Sequence, residues 1–400
     1  MDPIKGSSRK IRITFFIPSN ILNGAGGERC LFYYLKYAPS EIFHLTVIET
    51  DHILYKRITE HEMEEVKDKA KWIQVKDIFF RFEFLANSTL GNILLAFVIA
   101  PLLGIIFTRN NKQILKDLFD EDLIYLFVND NVRFFKSLKA TIIGSNHGSF
   151  KKPLTFVKKI QAKLIEMGIY QGRIEGFHIF NGYEKDLHQL GKKSTFILPP
   201  RGIEDQHFDL KNYQKYKIRF LFVGRLESYK GINLLMDVWK YFEIDERVEL
   251  HVVGTGTLYN RLSSRRTKNA IFHGAVNSAE LSDIYKSSDI LIFPSLTEAY
   301  PLVVPESLGY GLFVITSDIF EGLFDEYQKM GFLSYVRPSL TFLKREMELR
   351  IDRIDLIREN RQKCHDYIFN SMDMKHIINE FYENLIKIVR LNNYSNSAQS

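Results

Sequence analysis

Cysteine is almost absent from this sequence. Cys30 and Cys364 are its two thiols, far apart and without partners at metal-ligand spacing. That excludes a disulfide framework and a cysteine-ligated zinc site, and makes a reducing cytosol the expected compartment. Blocks of one charge sign are also missing. The 54 basic and 48 acidic residues are interspersed and leave a net charge of +6, which suits phosphorylated substrates or an anionic membrane surface. The basic residues form no nucleic-acid motif, so nucleic acid is not an expected partner. A 45% hydrophobic fraction excludes a disordered chain, and 400 residues are comfortable for two domains. The opening "MDPIKGSSRKIRITFFIPS" has too short an apolar run for a signal peptide. An acidic D-x-D motif is missing from the strand ends. The "DED" at Asp120–Asp122 precedes a strand instead of following one, so no metal is expected.

What is present is an alternation of strand and helix signals. "KIRITFFIPS", "FHLTVIET", "LIYLFVND", "KATIIGSNHG", "EGFHIFNG" and "STFILPP" are short runs rich in β-branched and aromatic residues. A polar stretch without period follows. The rhythm then resumes with "IRFLFVG", "VELHVVG", "AIFHGAV", "DILIFPS" and "FVITSD", each leading into a helical segment. Such alternation predicts parallel sheets with right-handed crossovers. The expected architecture is α/β, two doubly wound Rossmann-like domains facing a central cleft. Residues 1–200 form the first domain, 201–217 the linker and 218–370 the second domain. Residues 371–391 form a helix returning toward the first domain, and 392–400 a flexible tail.

In doubly wound sheets, ligands bind past the carboxyl ends of the strands. "FVGRLESYKG" places Gly224, Arg225 and Lys230 there, where two cations in a loop entering a helix make a diphosphate clamp or a solvated basic pair. Gly254 in "VVGTG" is a second glycine turn at a strand end. Gly24, Gly26 and Gly27 in "NGAGGERC" are a third, without the dinucleotide fingerprint. His147 ends the strand of "SNHG" and is read as a polar cap or a ring facing the cleft. Glu298 and Glu306 stand with seven residues between them in "EAYPLVVPE". Pro301 and Pro305 restrict where a helix begins, which places Glu298 in a loop and Glu306 in a first helical turn.

In this order and spacing, these pieces resemble a retaining glycosyltransferase of family 4, the glycosyl transferases group 1, with the GT-B fold. The resemblance covers nearly the whole chain through "GGER", "SNHG", "GRLESYKG", "VVGTG", "FHGAV" and the spaced glutamates. It implies a nucleotide-sugar substrate, GDP-mannose or a UDP-sugar, and no cofactor. Gly26 and Gly27 would let backbone approach the donor. Arg225 and Lys230 would neutralise the leaving diphosphate, and the amides of Leu302 and Val303 would face its phosphates. Glu298 would hydrogen-bond the donor sugar, Glu306 the ribose hydroxyls, and His147 would lie by the reacting sugar. Gly224, Gly254, Val276 and Tyr300 complete the donor side. Where the family usually has glycine after the first glutamate, this chain has Ala299 and then Tyr300, which bears on sugar choice.

Two features of the first domain concern the acceptor. Residues 90–107, "LGNILLAFVIAPLLGIIF", are nearly all apolar. They are short for a span, which needs about 20 apolar residues, and read as a buried core helix or an interfacial segment. "KKPLTFVKKIQAKLIEMGIY" sets Leu154, Val157, Ile160, Leu164 and Met167 at helical spacing among Lys151, Lys152, Lys158, Lys159 and Lys163. It reads either as an ordinary surface helix or as a basic amphipathic helix on an anionic membrane. Together they predict a peripheral enzyme on a cytosolic membrane face, moving mannose or another hexose to a lipid-linked or glycan acceptor. The same motifs fit transfer to a soluble acceptor, or a GT-B-like nucleotide-sugar epimerase or hydrolase.

Overall fold

The computed structural model describes residues 9–23, 26–51, 53, 58–76, 109–127, 139–146, 176–180, 194–198, 217–265, 267–298 and 300–397. Residues 90–107, His147, the four lysines Lys151, Lys152, Lys158 and Lys159, and all of the expected linker except residue 217 lie outside them. The chain divides into two compact units, residues 1–199 with 377–400 and residues 200–376.

In the first unit the strands are β1 (Ile11–Phe16), β2 (Phe43–Thr50), β3 (Ala70–Val75), β4 (Leu123–Leu126), β5 (Thr141–Asn146), β6 (Gly176–Phe180) and β7 (Ser194–Leu198). They pair in the order β3-β2-β1-β4-β5-β6-β7, all parallel. Six had been visible as apolar runs. The missed strand β3 is "AKWIQV", a sheet-edge strand carrying Lys71 and Gln74 among its apolar residues, so it lacks the run that marks its neighbours. Helix α1 (Gly26–Lys36) follows β1, and α2 (Glu60–Val66) opens with a capping box between Thr59 and Glu62. Arg29 ties the two helices together through Glu62 at 2.6 Å. Short α3 (Lys112–Asp117) precedes β4.

The last helix, α12 (Met374–Ser397), belongs to this unit from Ile377 onward. Phe381 stacks on Tyr34 at 4.0 Å, and the buried Tyr382 hydroxyl donates to the Tyr34 carbonyl at 2.9 Å. The helix runs on to Ser397, past Asn392, where the composition predicted a flexible tail. Once a helix is nucleated, each further residue adds a hydrogen bond, and polar residues cost only about 0.7 kcal/mol or less each in propensity.

The second unit holds β8 (Ile218–Val223), β9 (Val248–Val253), β10 (Ala270–Gly274), β11 (Ile290–Phe293), β12 (Phe313–Ser317) and β13 (Leu333–Val336). Their order is β10-β9-β8-β11-β12-β13, again all parallel. The sequence reading missed β13, which is only four residues long. Eight helices accompany this sheet among the described residues: α4 (Ile232–Trp239), α5 (Tyr259–Ser263), α6 (Ser278–Lys286), α7 (Val303–Gly309), α8 (Asp325–Lys329), α9 (Leu340–Asp352), α10 (Ile354–Glu359) and α11 (Arg361–Met372). Alternate residues of β8, Ile218, Phe220 and Phe222, join Leu250, Val252, Ile292 and Ile315 against Trp239 of α4 and Met347 of α9. Each such side chain contributes about 1.5–3 kcal/mol by leaving water. On the opposite face α7 packs over β11 and β12, with α11 against α7.

That opposite face carries a polar ladder across β8, β9 and β10. Arg219 Nε donates to Glu249 Oε1 at 2.5 Å. His251 Nε2 lies 3.3 Å from the same oxygen, and its Nδ1 lies 2.8 Å from His273 Nε2. Burial, then the Arg219 charge, pushes His251 down to about 4, and the same causes lower His273. A free histidine titrates near 6.5. His251 therefore resists protonation in the folded chain, and its contribution is complete above pH 6.5 and lost as pH falls from 6.5 toward 4. The loss amounts to roughly 3 kcal/mol at most. Urea unfolding across that window should show wild type losing more stability than His251→Asn. Parallel losses would place the acid sensitivity elsewhere.

Candidate functional site

In the second unit the strand order reverses at β8, which has β9 on one side and β11 on the other. Crossovers leave such a point in opposite directions and open a crevice past the carboxyl ends. Three loops meet there. The first, Gly224 to Gly231, follows β8. The second, from Gly254, follows β9. The third, from Pro294, follows β11.

The loops are bound to one another by main chain. Leu226 N–H donates to Thr255 O at 2.9 Å and Leu258 N–H to Leu226 O at 3.0 Å. Thr257 gives Glu227 both its amide, at 3.0 Å, and its hydroxyl, at 2.6 Å. These bonds hold the Glu227 carboxyl below its ordinary range. Gly254, at φ +123°, lies so close to the first loop that a Cβ would stand 2.0 Å from Gly224 O. Across the other side, Leu296 N–H and the Ser295 hydroxyl donate to Tyr229 O at 2.8 and 3.2 Å. Gly231 adopts φ +75° and caps α4, and a Cβ there would stand 2.0 Å from Pro294 O. Both glycines are therefore required by close approach and by left-handed backbone.

This stitching brings three of the expected residues together. Lys230 Nζ pairs with Glu298 Oε1, and each side chain is only 15% exposed. The ammonium also lies 5.5 Å from the Tyr229 ring centre and 5.8 Å from that of Phe293. Arg225 sits over the Tyr229 ring at 5.7 Å and donates to its hydroxyl. Burial, and then the Arg225 charge, pushes Lys230 down to about 8. The Glu298 carboxylate in contact with it carries the opposite charge, which favours the protonated form.

Glu298 lies in a loop and Glu306 in the first turn of α7, as the two prolines predicted. The Tyr285 hydroxyl of α6 donates to Glu306 Oε2 at 3.4 Å, and the Tyr285 ring stacks on Tyr310 at 4.9 Å. Burial, and then the Glu306 charge, raises the Tyr285 pKa, so that hydroxyl stays a donor. Leu302 caps α7, Val303 is its buried first residue, and Tyr300 is buried against Phe324 at 5.5 Å. Val276 is half-buried in the loop after β10, at the far edge of the sheet. In the first unit, Gly26 and Gly27 begin α1. A Cβ at Gly27 would meet Phe127 at an ordinary 3.6 Å, so a methyl group would fit there against Phe127 and Ile17. Sequence reading gave no role to Tyr229, although it stands between Arg225 and Lys230. It missed Tyr285 and Arg361 because their partners are distant in sequence.

Residues 203–371 match the model of a protein family described as Glycosyl transferases group 1. An uncharacterized glycosyltransferase of Methanocaldococcus jannaschii is 28% identical over 136 residues, 30% of this chain and 35% of that protein. The matched stretch spans about a third of the length of the curated relatives placed first. Sucrose-phosphate synthase of Thermosynechococcus elongatus has a similar structure, with TM-score 0.68, 14% identity, and 94% of this chain and all of that one covered. Anabaena HepE, solved with UDP and glucose, gives TM-score 0.65 at 15% identity, with 94% and 100% covered. The two parallel Rossmann-like sheets match the GT-B architecture of these neighbours.

Gly231→Ala tests the loop stitching. Left-handed backbone costs an alanine about 1–2 kcal/mol, and relieving the Pro294 clash about 1–3 more. Urea unfolding should show a loss of about 2–5 kcal/mol. A loss below 1 kcal/mol would mean that the first and third loops are not held together.

Proposed function

We propose that this chain, whose residues 203–371 match the model of the glycosyl transferases group 1 family, is a retaining hexosyltransferase. It takes its sugar from GDP-mannose or a UDP-sugar and passes it to a lipid-linked or glycan acceptor at a cytosolic membrane surface. One observation carries the reading: past the carboxyl ends of β8 and β11, a largely buried Lys230 pairs with a largely buried Glu298, and the exposed Arg225 joins them through the Tyr229 ring that both cations approach. A nucleotide sugar presents the complementary groups, a diphosphate for the cations and vicinal hydroxyls for the carboxylate.

The chemistry follows from those charges. As the anomeric bond breaks, negative charge grows on the departing diphosphate, and Arg225 with Lys230 stabilises it. The acceptor hydroxyl attacks from the same face, its proton passes to the leaving phosphate oxygen, and the anomeric configuration is retained. Glu298 orients the sugar and Glu306, fixed by Tyr285, holds the ribose. Two positive side chains meet the charge of the diphosphate, so the reading calls for no resident metal. For Gly26, Gly27 and His147 this reading keeps the donor roles that the resemblance implies. The membrane-facing part of the reading rests on residues 90–107 and on Lys151, Lys152, Lys158 and Lys159. Among the described residues no helix is long and apolar enough to cross a membrane.

Thermal shift against GDP-, UDP- and ADP-sugars tests the reading. A donor at 100 times its dissociation constant adds about 2.7 kcal/mol of stability. One nucleotide class should raise the Tm of wild type, and Glu306→Ala should abolish the shift. A full shift in the variant would remove Glu306 from the donor site. No shift with any donor, with or without anionic liposomes, would overturn the donor assignment.

A further inference from the structure

The pairing of Lys230 with Glu298 poses a problem for the reading just given. A diphosphate needs the Lys230 ammonium, yet a carboxylate already occupies it. Lys230 is flanked by the Tyr229 and Phe293 rings. Glu298 follows a loop whose Ser295 hydroxyl is held by the carbonyls of Tyr229 and Thr297, both at 3.2 Å. The two side chains are equally buried at 15% exposure, so water screens their attraction poorly. A phosphate arriving at Lys230 meets a carboxylate of like charge at close range and must take its place.

What separates two ligands at this point is what each offers Glu298 once Lys230 is surrendered. A nucleotide sugar brings hydroxyl donors, and a carboxylate hydrogen-bonded to them is compensated. A bare nucleoside diphosphate has only its ribose hydroxyls, which this reading gives to Glu306, and so leaves a largely buried Glu298 carboxylate beside its own phosphates. We propose that Glu298 competes with the diphosphate for Lys230, so that the site favours the nucleotide sugar over the bare nucleoside diphosphate and, once the sugar has been transferred, recaptures Lys230 and drives the product out. This selector role rests on the reading that Lys230 and Arg225 hold the diphosphate. It makes Glu298 a specificity-determining residue in addition to a contact for the sugar.

Calorimetry with bare UDP and GDP, and with their sugars, tests it on wild type, Glu298→Gln, Lys230→Met and the double variant. Glutamine keeps the shape of the side chain and removes the competing charge. For the nucleotide that binds, Glu298→Gln should hold the bare diphosphate about tenfold more tightly than wild type, and the gain should vanish in the Lys230→Met background. In wild type itself the nucleotide sugar should bind more tightly than its bare diphosphate, a comparison that stands even if the variant fails to fold. Unchanged or weaker diphosphate binding in Glu298→Gln, or a gain that survives the loss of Lys230, would overturn the selector while leaving the donor site in place. Wild type that binds neither UDP nor GDP in any form would overturn the donor reading and the selector together.

Discussion

Parallel pairing of β8 with β9 on one side and β11 on the other is the constraint from which the site descends. A central parallel strand is covered on both faces, so its backbone bonds go to its neighbours and its side chains are mostly apolar. Phe220, Leu221 and Phe222 are accordingly fully buried. Beyond Arg219, which pairs with Glu249 of β9, the charges of this region enter where the strand ends. Arg225 and Lys230 appear as soon as the chain passes Gly224, and Glu298 as soon as it passes the end of β11. The strand ends therefore deliver opposite charges to one place, apart from the Arg219–Glu249 ladder that the sheet carries on one face.

A second support acts from far along the chain. Arg361 is 3% exposed and donates to the carbonyls of Tyr285, Lys286 and Ser288 at the end of α6, and to Tyr310 just past α7. Helix ends expose carbonyls of partial negative charge, which suits a buried guanidinium. His365 Nδ1 reaches Gly309 O at 2.6 Å on the same helix end. Gly311, at φ +73°, leaves no room for a Cβ, which would stand 2.5 Å from Arg361. Together these contacts fix α6 and α7, and with them the approach of Tyr285 to Glu306. A carboxylate that the sequence places by its neighbouring prolines is oriented by residues on two other helices.

The apolar strands were legible because burial on both faces writes a continuous β-branched and aromatic run. Where burial is partial or the strand is brief, as in β3 and β13, that signature fades and the segments were missed. Loop glycines and cations were legible as types at strand ends, since close backbone approach and anion binding each demand particular residues. Contacts between loops were not. Nothing local in "RLESYKG" says that Lys230 meets Glu298, or that the Tyr229 ring lies between two cations. The Lys230–Glu298 contact follows from the sheet order, which sets β8 beside β11 although two strands intervene in sequence, and the Tyr229 contacts from the fold of the loop after β8.

The same pair explains why the charges persist at all. Burial and the Arg225 guanidinium both act to strip the proton from Lys230, pushing it down to about 8. A site with two cations and nothing opposing them would relieve its repulsion by neutralising the lysine, and so lose the charge a diphosphate requires. Glu298 prevents that in the resting protein, since an opposite charge in contact favours the protonated form. Yet what keeps Lys230 charged must be displaced before Lys230 can serve a phosphate. The ligand that restores the balance replaces both halves of the pair at once, phosphate for carboxylate on Lys230 and hydroxyl for ammonium on Glu298. Charge maintenance at rest and selectivity on binding are thus two consequences of one contact.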